Sequence, residues 1–222
     1  MFRGEDLICI RGERLVFLDL SFSVAPGEAV LILGPNGAGK SSFLRMAAGL
    51  LRPAAGSLSW GEEADLGGRE DHAARTHYVG HHDAVKPVLT VAENLRFWGR
   101  LAGLSGGGLE ERVDQALGRL DMLDKADLPG RFLSAGQKRR TNLARLLVAP
   151  APLWLLDEPT VALDRATVAE VEAMIAEHRQ GGGMVMLSTH ADIALPDART
   201  LQMDDYVPAP LDEAAPLEAM AW

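Results

Sequence analysis

Cysteine is almost missing. Cys9 is the only one in 222 residues, so no disulfide can close within the chain, and a reducing compartment suits it. Aromatic residues make up 5%, leaving few surfaces on which bases or sugars could stack. Basic residues are also short: 22 Lys and Arg stand against 31 Asp and Glu, a formal charge of −9. That balance argues against coating nucleic acid through a basic surface. No apolar run approaches the roughly 18–20 residues that cross a bilayer; Ala29–Leu33 is strand-sized. The opening Met1-Phe2-Arg3-Gly4-Glu5-Asp6 carries no apolar stretch behind a basic cluster, which predicts no secretory signal. What is plentiful is core material, 47% hydrophobic residues, enough for one or two compact units. A soluble cytosolic protein is the expectation.

Glycine pairs and triplets at 67–68, 106–108 and 181–183 divide the chain into a strand-rich start, a helical middle and a mixed end. Leu15–Val24 interleaves apolar residues with Asp19, Ser21 and Ser23, as a half-buried strand does. Pro26-Gly27-Glu28 reads as a turn into a buried strand, Ala29–Leu33, and Ser57–Trp60 as another short strand. Thr90-Val91-Ala92-Glu93 and Ser134-Ala135-Gly136-Gln137 are capping-box patterns that start helices. Leu109, Val113, Ala116, Leu117 and Leu120 share one helical face. Leu153–Leu156 and Met184–Ser188 suit central strands, with a helix from about Arg165 to Gln180 between them. Alternating strands and helices predict an α/β fold with a mostly parallel sheet covered on both faces.

Chemistry concentrates first in Gly34-Pro35-Asn36-Gly37-Ala38-Gly39-Lys40-Ser41, followed by Ser42. Glycines at these places let successive N–H groups turn into one concavity around phosphate oxygens, at the positive end of the helix that follows. Lys40 would reach the β- and γ-phosphates of a bound nucleotide, and the Ser41 hydroxyl would bind Mg²⁺. The predicted strand Leu153–Leu156 runs into Asp157 and Glu158, placing two carboxylates at the edge where open α/β sheets bind ligands. There Asp157 would hold the Mg²⁺ shell and Glu158 would take a proton from the attacking water.

Leu133-Ser134-Ala135-Gly136-Gln137 resembles the signature of ATP-binding-cassette ATPases, with alanine in place of one glycine. Ala162-Leu163-Asp164 is similar to that family's D-loop, Ser188-Thr189-His190 to its switch histidine, and Leu89–Leu95 to the opening of its helical subdomain. The resemblance covers about Leu7 to Met203. It implies a phosphate-loop NTPase core with an amino-terminal antiparallel β subdomain and an inserted helical subdomain at about 83–140, all within residues 1–206. The tail 207–222, with three prolines, several acids and weak periodicity, reads as flexible, though Leu211, Leu217 and Trp222 could dock. The resemblance also implies a homodimer, in which Ser134, Gly136 and Gln137 of one copy complete the other's ATP site. His190 would meet the γ-phosphate and the attacking water, and Asp164 would link the two sites.

Two departures narrow the resemblance. His81 stands where most cassettes carry a Mg²⁺-contacting glutamine, and imidazole prefers softer metals than Mg²⁺. His77, His81 and His82 could suggest zinc, but no cysteine or fourth ligand accompanies them. Arg11 stands where an aromatic usually stacks on adenine; its planar guanidinium can stack on a purine, or it is a solvated turn residue. Together with Ala135, these resemble the ATP-binding subunits of cytochrome c maturation systems, implying separate membrane subunits that handle haem and a peripheral place at the cytoplasmic face of a bacterial inner membrane. The groove about His82–Leu104 is the expected surface for those subunits, with Phe97 and Trp98 read equally as docking residues or as core. The rivals are an ATPase subunit of a drug, lipid or ion exporter, a soluble cassette acting on DNA or ribosomes, and a nucleotide sensor without turnover. The acidic charge speaks against the second, and intact Lys40, Asp157, Glu158 and His190 against the third.

Overall fold

The computed structural model describes residues 1–61, 66, 68–190 and 193–208. Along the chain run β1 (Phe2–Arg11), β2 (Arg14–Val24), β3 (Ala29–Leu33), α1 (Lys40–Ala47), β4 (Ala55–Trp60), α2 (Arg69–Ala74) and β5 (Thr76–Val79). Three helices follow, α3 (Val91–Leu101), α4 (Gly106–Arg119) and α5 (Ala135–Val148), and then β6 (Leu153–Asp157), α6 (Arg165–Gln180), β7 (Met184–Ser188) and β8 (Arg199–Gln202). One antiparallel sheet has the order β2-β1-β4; the other, β5-β6-β7-β3-β8, is parallel at every pairing. This is the α/β architecture of a phosphate-loop NTPase with an added antiparallel sheet and helices.

The parallel sheet is buried on both faces, and side-chain alternation sorts its residues into two cores. Trp154, Leu156, Val185 and Leu187 face α3, α4, α5 and α6, where they meet Leu95, Val113, Leu117, Leu143 and Val171. Their neighbours Leu153, Leu155, Met184 and Met186 face α1 and the antiparallel sheet, against Phe17, Leu20, Phe43 and Leu44. All five apolar positions named on the α4 face are buried. Both capping boxes form: Thr90 with Glu93 at the start of α3, and Ser134 with Gln137 at the start of α5.

Leu15–Val24 proves to be strand, but its alternation breaks. Asp19 has φ 53°, and the pairing of Leu7 with Leu20 and of Cys9 with Phe17 leaves one extra residue on β2. A second shift, between the Cys9–Phe17 and Ile10–Leu15 pairs, leaves Val16 over and puts Val16 and Phe17 both in the core. Of the tail expected at 207–222, residues 209–222 lie outside the described residues, Leu211, Leu217 and Trp222 among them.

His77 ties β5 to the end of α5: its Nε2–H donates to the Ala149 carbonyl at 2.6 Å. Burial drives its pKa down to about 4, against the opposing effect of that hydrogen bond. The unfolded chain, with an ordinary imidazole near pH 6.5, therefore binds the proton more readily. The stability this group contributes is complete above that pH and is lost as the pH falls toward 4. Urea denaturation should show a loss on the order of 1–3 kcal/mol over that window. His77→Gln keeps an N–H for Ala149 without titrating and should flatten the slope; an unchanged slope would refute this account.

Candidate active site

The turn from β3 into α1 needs glycine at two places. Gly39 caps α1 in the left-handed region (φ 99°), and a Cβ there would stand 2.8 Å from Val16 Cγ1. Gly34 has φ 140°, and its Cβ would lie 3.0 Å from Asp204 Oδ1. Lys40, at the first turn of α1, is 8% exposed. Its Nζ donates to the carbonyls of Gly34 (2.6 Å) and Pro35 (3.1 Å) and to His190 Nε2 (3.1 Å). An ammonium has only protons to give, so that imidazole carries its own proton on Nδ1.

Strands β6 and β7 deliver the carboxylates. Asp157 is 2% exposed; its Oδ1 accepts from Ser188 Oγ at 2.7 Å and its Oδ2 from the Tyr78 hydroxyl at 3.5 Å. Burial, with the charge of Asp157, pushes the Tyr78 hydroxyl up to about 12, so it remains a donor at any working pH. Glu158 turns off the strand with φ 52°, a costly conformation for a side-chain-bearing residue. Its backbone N–H donates to the Ser188 carbonyl (3.0 Å), and its Oε2 accepts from the His190 backbone N–H (3.2 Å).

A cavity of about 590 Å³ opens over these groups, lined by Asn36, Gly37, Gly39, Lys40, Ser41, Ser42, Asp157, Glu158, His190, His81 and Arg11, with Arg14, Val16 and Val161. Residues from five separate stretches of sequence thus meet in one space. Gly34, Pro35 and Ala38 shape the loop behind it. Arg14, Val16 and Val161 were not foreseen; the hairpin register Arg11↔Arg14 is the signal that places one arginine beside the other. His77 is turned to Ala149 and the His81 and His82 rings meet edge to face, 5.4 Å apart. No zinc site forms there, and among the described residues no group of three His, Cys, Asp or Glu is placed to hold a metal.

Ser134, Gly136, Gln137 and Asp164 line a different cavity, of about 430 Å³. Ser134 Oγ and Gln137 Oε1 are engaged with each other's backbone N–H groups at 3.2 and 2.9 Å. Gly136 lets the Ala162 carbonyl approach: a Cβ would stand 2.8 Å from that oxygen. Asp164 caps α6 by accepting from Thr167 N–H (2.8 Å) and pairs with Arg140. Those contacts, the backbone hydrogen bond first, hold its carboxyl below the usual range.

Residues 17–161 match the family described as ABC transporter. The chain is 59% identical over 95% of its length to the cytochrome c biogenesis ATP-binding export protein CcmA of Rhodospirillum rubrum, covering 88% of that protein. The chain belongs to the ABC transporter family. Other ABC transporter relatives include the CcmA proteins of Paramagnetospirillum magneticum, 58% identical over 94% of this chain and 96% of theirs, and of Rhizobium meliloti, 44% identical over 92% and 98%. An ATP-binding subunit of an ABC transporter of known structure superposes with TM-score 0.78 at 27% identity, covering 85% of this chain and 79% of its own. A dimeric ABC cassette bound to ADP and phosphate after hydrolysis shares the fold, with TM-score 0.76 at 24% identity over 86% of this chain and 88% of its own.

Lys40→Ala should weaken ATP binding by at least about tenfold, because a hydrogen bond to a charged group contributes about 1.5–3 kcal/mol. Isothermal titration checks it, and wild-type affinity in the variant would refute the pocket.

Proposed function

We propose that this chain is the ATP-hydrolysing subunit of a cytochrome c maturation complex and that it works as a pair of cassettes. One observation carries the reading: Lys40, Ser41, Asp157, Glu158 and His190 share one cavity, while Ser134 and Gly136 of the same chain open onto another. A site split this way is completed when the second half comes from another copy. Backbone N–H groups of the 34–39 loop and the start of α1 bind the phosphates. Lys40 moves from the Gly34 and Pro35 carbonyls to the β- and γ-phosphate oxygens.

The donors suit a hard cation that arrives with its nucleotide: Ser41 offers a hydroxyl and Asp157 a buried carboxylate, and these two would hold Mg²⁺. Bound there, Mg²⁺ neutralises phosphate charge. His81 lines the same cavity with a nitrogen donor less suited to that ion. Glu158 receives a proton from water as the water oxygen attacks the γ-phosphorus and the bond to the β-phosphate oxygen breaks, giving ADP and phosphate. His190, already hydrogen-bonded through its backbone to Glu158, orients that water and the γ-phosphate. Arg11, beside Arg14 at the cavity mouth, stacks on adenine. Ser134, Gly136 and Gln137 of the second copy close over the phosphates, and Asp164 lies between the sites.

The names of the relatives, together with His81, Arg11 and Ala135, support the cytochrome c branch. No helix among the described residues is long and apolar enough to cross a membrane. Separate integral membrane subunits handling haem supply the passage, with this chain peripheral at the cytoplasmic face of a bacterial inner membrane, a reading that the relatives' name as export proteins supports. Val88 and Leu101, 76% and 69% exposed, and Phe97 beneath the Lys86 ammonium form the apolar part of the docking surface. Trp98 belongs inward, 4.5 Å under the Arg145 guanidinium.

Glu158→Gln should cut ATP turnover by about 10²-fold or more, the usual size of a general-base contribution, while an ATP-bound dimer accumulates with the membrane subunits present. Normal turnover would remove Glu158 as the base, and a strictly monomeric variant would remove the paired site. Deleting the gene should abolish covalent haem attachment to periplasmic cytochromes; normal cytochromes would sink the pathway and leave the ATPase standing.

A further inference from the structure

Asp157 has two carboxylate oxygens, and the fold gives each its own donor. Ser188 Oγ reaches Oδ1 from β7 at 2.7 Å, and the Tyr78 hydroxyl approaches Oδ2 from β5 at 3.5 Å. The second contact is long against the usual ~2.7–2.8 Å for O–H···O. Hydrogen bonds at catalytic sites commonly lengthen in a chain by itself and shorten in the reacting complex.

Helix α5 holds the backbone that carries Tyr78. The Tyr78 carbonyl accepts from Arg145 of α5. The next two carbonyls that face α5, those of Gly80 and His81, accept from Arg139 at 2.9 and 3.2 Å. Arg139 is itself fixed by Asp83 at 3.1 Å. The phenol ring lies over Gly80, where a Cβ would stand 2.9 Å from Cε1 and 3.0 Å from the hydroxyl oxygen. The missing side chain at position 80 is therefore the space in which the hydroxyl sits.

We infer that Tyr78 is a positioning residue, whose hydroxyl holds the second oxygen of Asp157 so that the carboxylate meets the metal–nucleotide in one orientation, and which α5 holds in turn through Arg139 and Arg145. With one donor on each oxygen, a carboxylate keeps outward lone pairs for a cation and loses its freedom to rotate. The inference rests on the ATPase reading above and deepens it. A phenol that served packing alone would fill the same space without discriminating between free ATP and MgATP.

The test uses the Glu158→Gln chain, in which bound ATP persists, and titrates ATP by calorimetry with Mg²⁺ and with EDTA. Adding Tyr78→Phe should weaken binding about 3–10-fold with Mg²⁺, the size of one hydrogen bond to a charged group, and leave the EDTA affinity and the melting temperature in place. Gly80→Ala, which drives the ring aside, should reproduce the loss specific to Mg²⁺. Unchanged Mg²⁺-dependent affinity in Tyr78→Phe overturns the inference, as does an equal loss with and without Mg²⁺, which would mark a packing role. If the Glu158→Gln parent binds ATP no tighter with Mg²⁺ than with EDTA, the inference is overturned at the parent; if it binds no ATP under either condition, the ATPase reading itself fails.

Discussion

Ser188 is paired on both sides, with Asp157 of β6 and with Ile32 of β3. Its hydroxyl bonds the Asp157 carboxylate and its carbonyl accepts the Glu158 N–H. Through this one residue the last strand position of β7 fixes where both carboxylates stand relative to the loop that follows β3. The pairing holds because slipping any of the three strands by one residue would turn its apolar set to the wrong face. With a different core on each face of the sheet, such a slip would exchange Trp154 and Leu156 for Leu153 and Leu155 against unlike partners. Packing thus sets register, and register sets the site.

That dependence explains what could be read from the chain alone. Elements with local signatures were legible: Ala29–Leu33, Met184–Ser188 and Arg165–Gln180 fall where apolar runs, glycines and caps put them. The loop after β3, the carboxylates after β6 and His190 after β7 were legible for the same reason, being stretches at strand ends whose meeting in one cavity follows from a parallel sheet. Strands β1, β5 and β8 and helix α2 were not singled out. Thr76–Val79 is four residues long and incompletely buried, Arg199–Gln202 is an edge strand with one buried residue, and β1 is broken by a positive φ at Asp6. Their pairings with β6, β3 and β2 define them, and pairing partners distant in the chain leave no local periodicity. The hydroxyls on Asp157 share this property. Tyr78 and Ser188 stand 79 and 31 residues from it in sequence, and only the sheet brings them together.

Helix α5 joins the two halves of the arrangement. Its first turn holds Ser134, Gly136 and Gln137, with Gly136 packed so closely on the Ala162 carbonyl that any side chain would part them. Arg140, one turn on, bonds both Asp121 and Asp164. From the other side of the same helix Arg139 and Arg145 grip the carbonyls of Tyr78, Gly80 and His81, the segment beside Asp157 and the nucleotide cavity. Arg145 is 4% exposed, and burial drives its pKa down to about 10, which still leaves it charged at neutral pH. A buried guanidinium stripped of its carbonyl partner would be left uncompensated, so these contacts do not break singly. The helix and the segment it grips are thus tied at three carbonyls. Under the proposed pairing of cassettes, a second copy closing on Ser134 and Gly136 would push on one end of a rod whose middle is fastened next to Asp157, a mechanical route from the shared face to the first chain's own carboxylate.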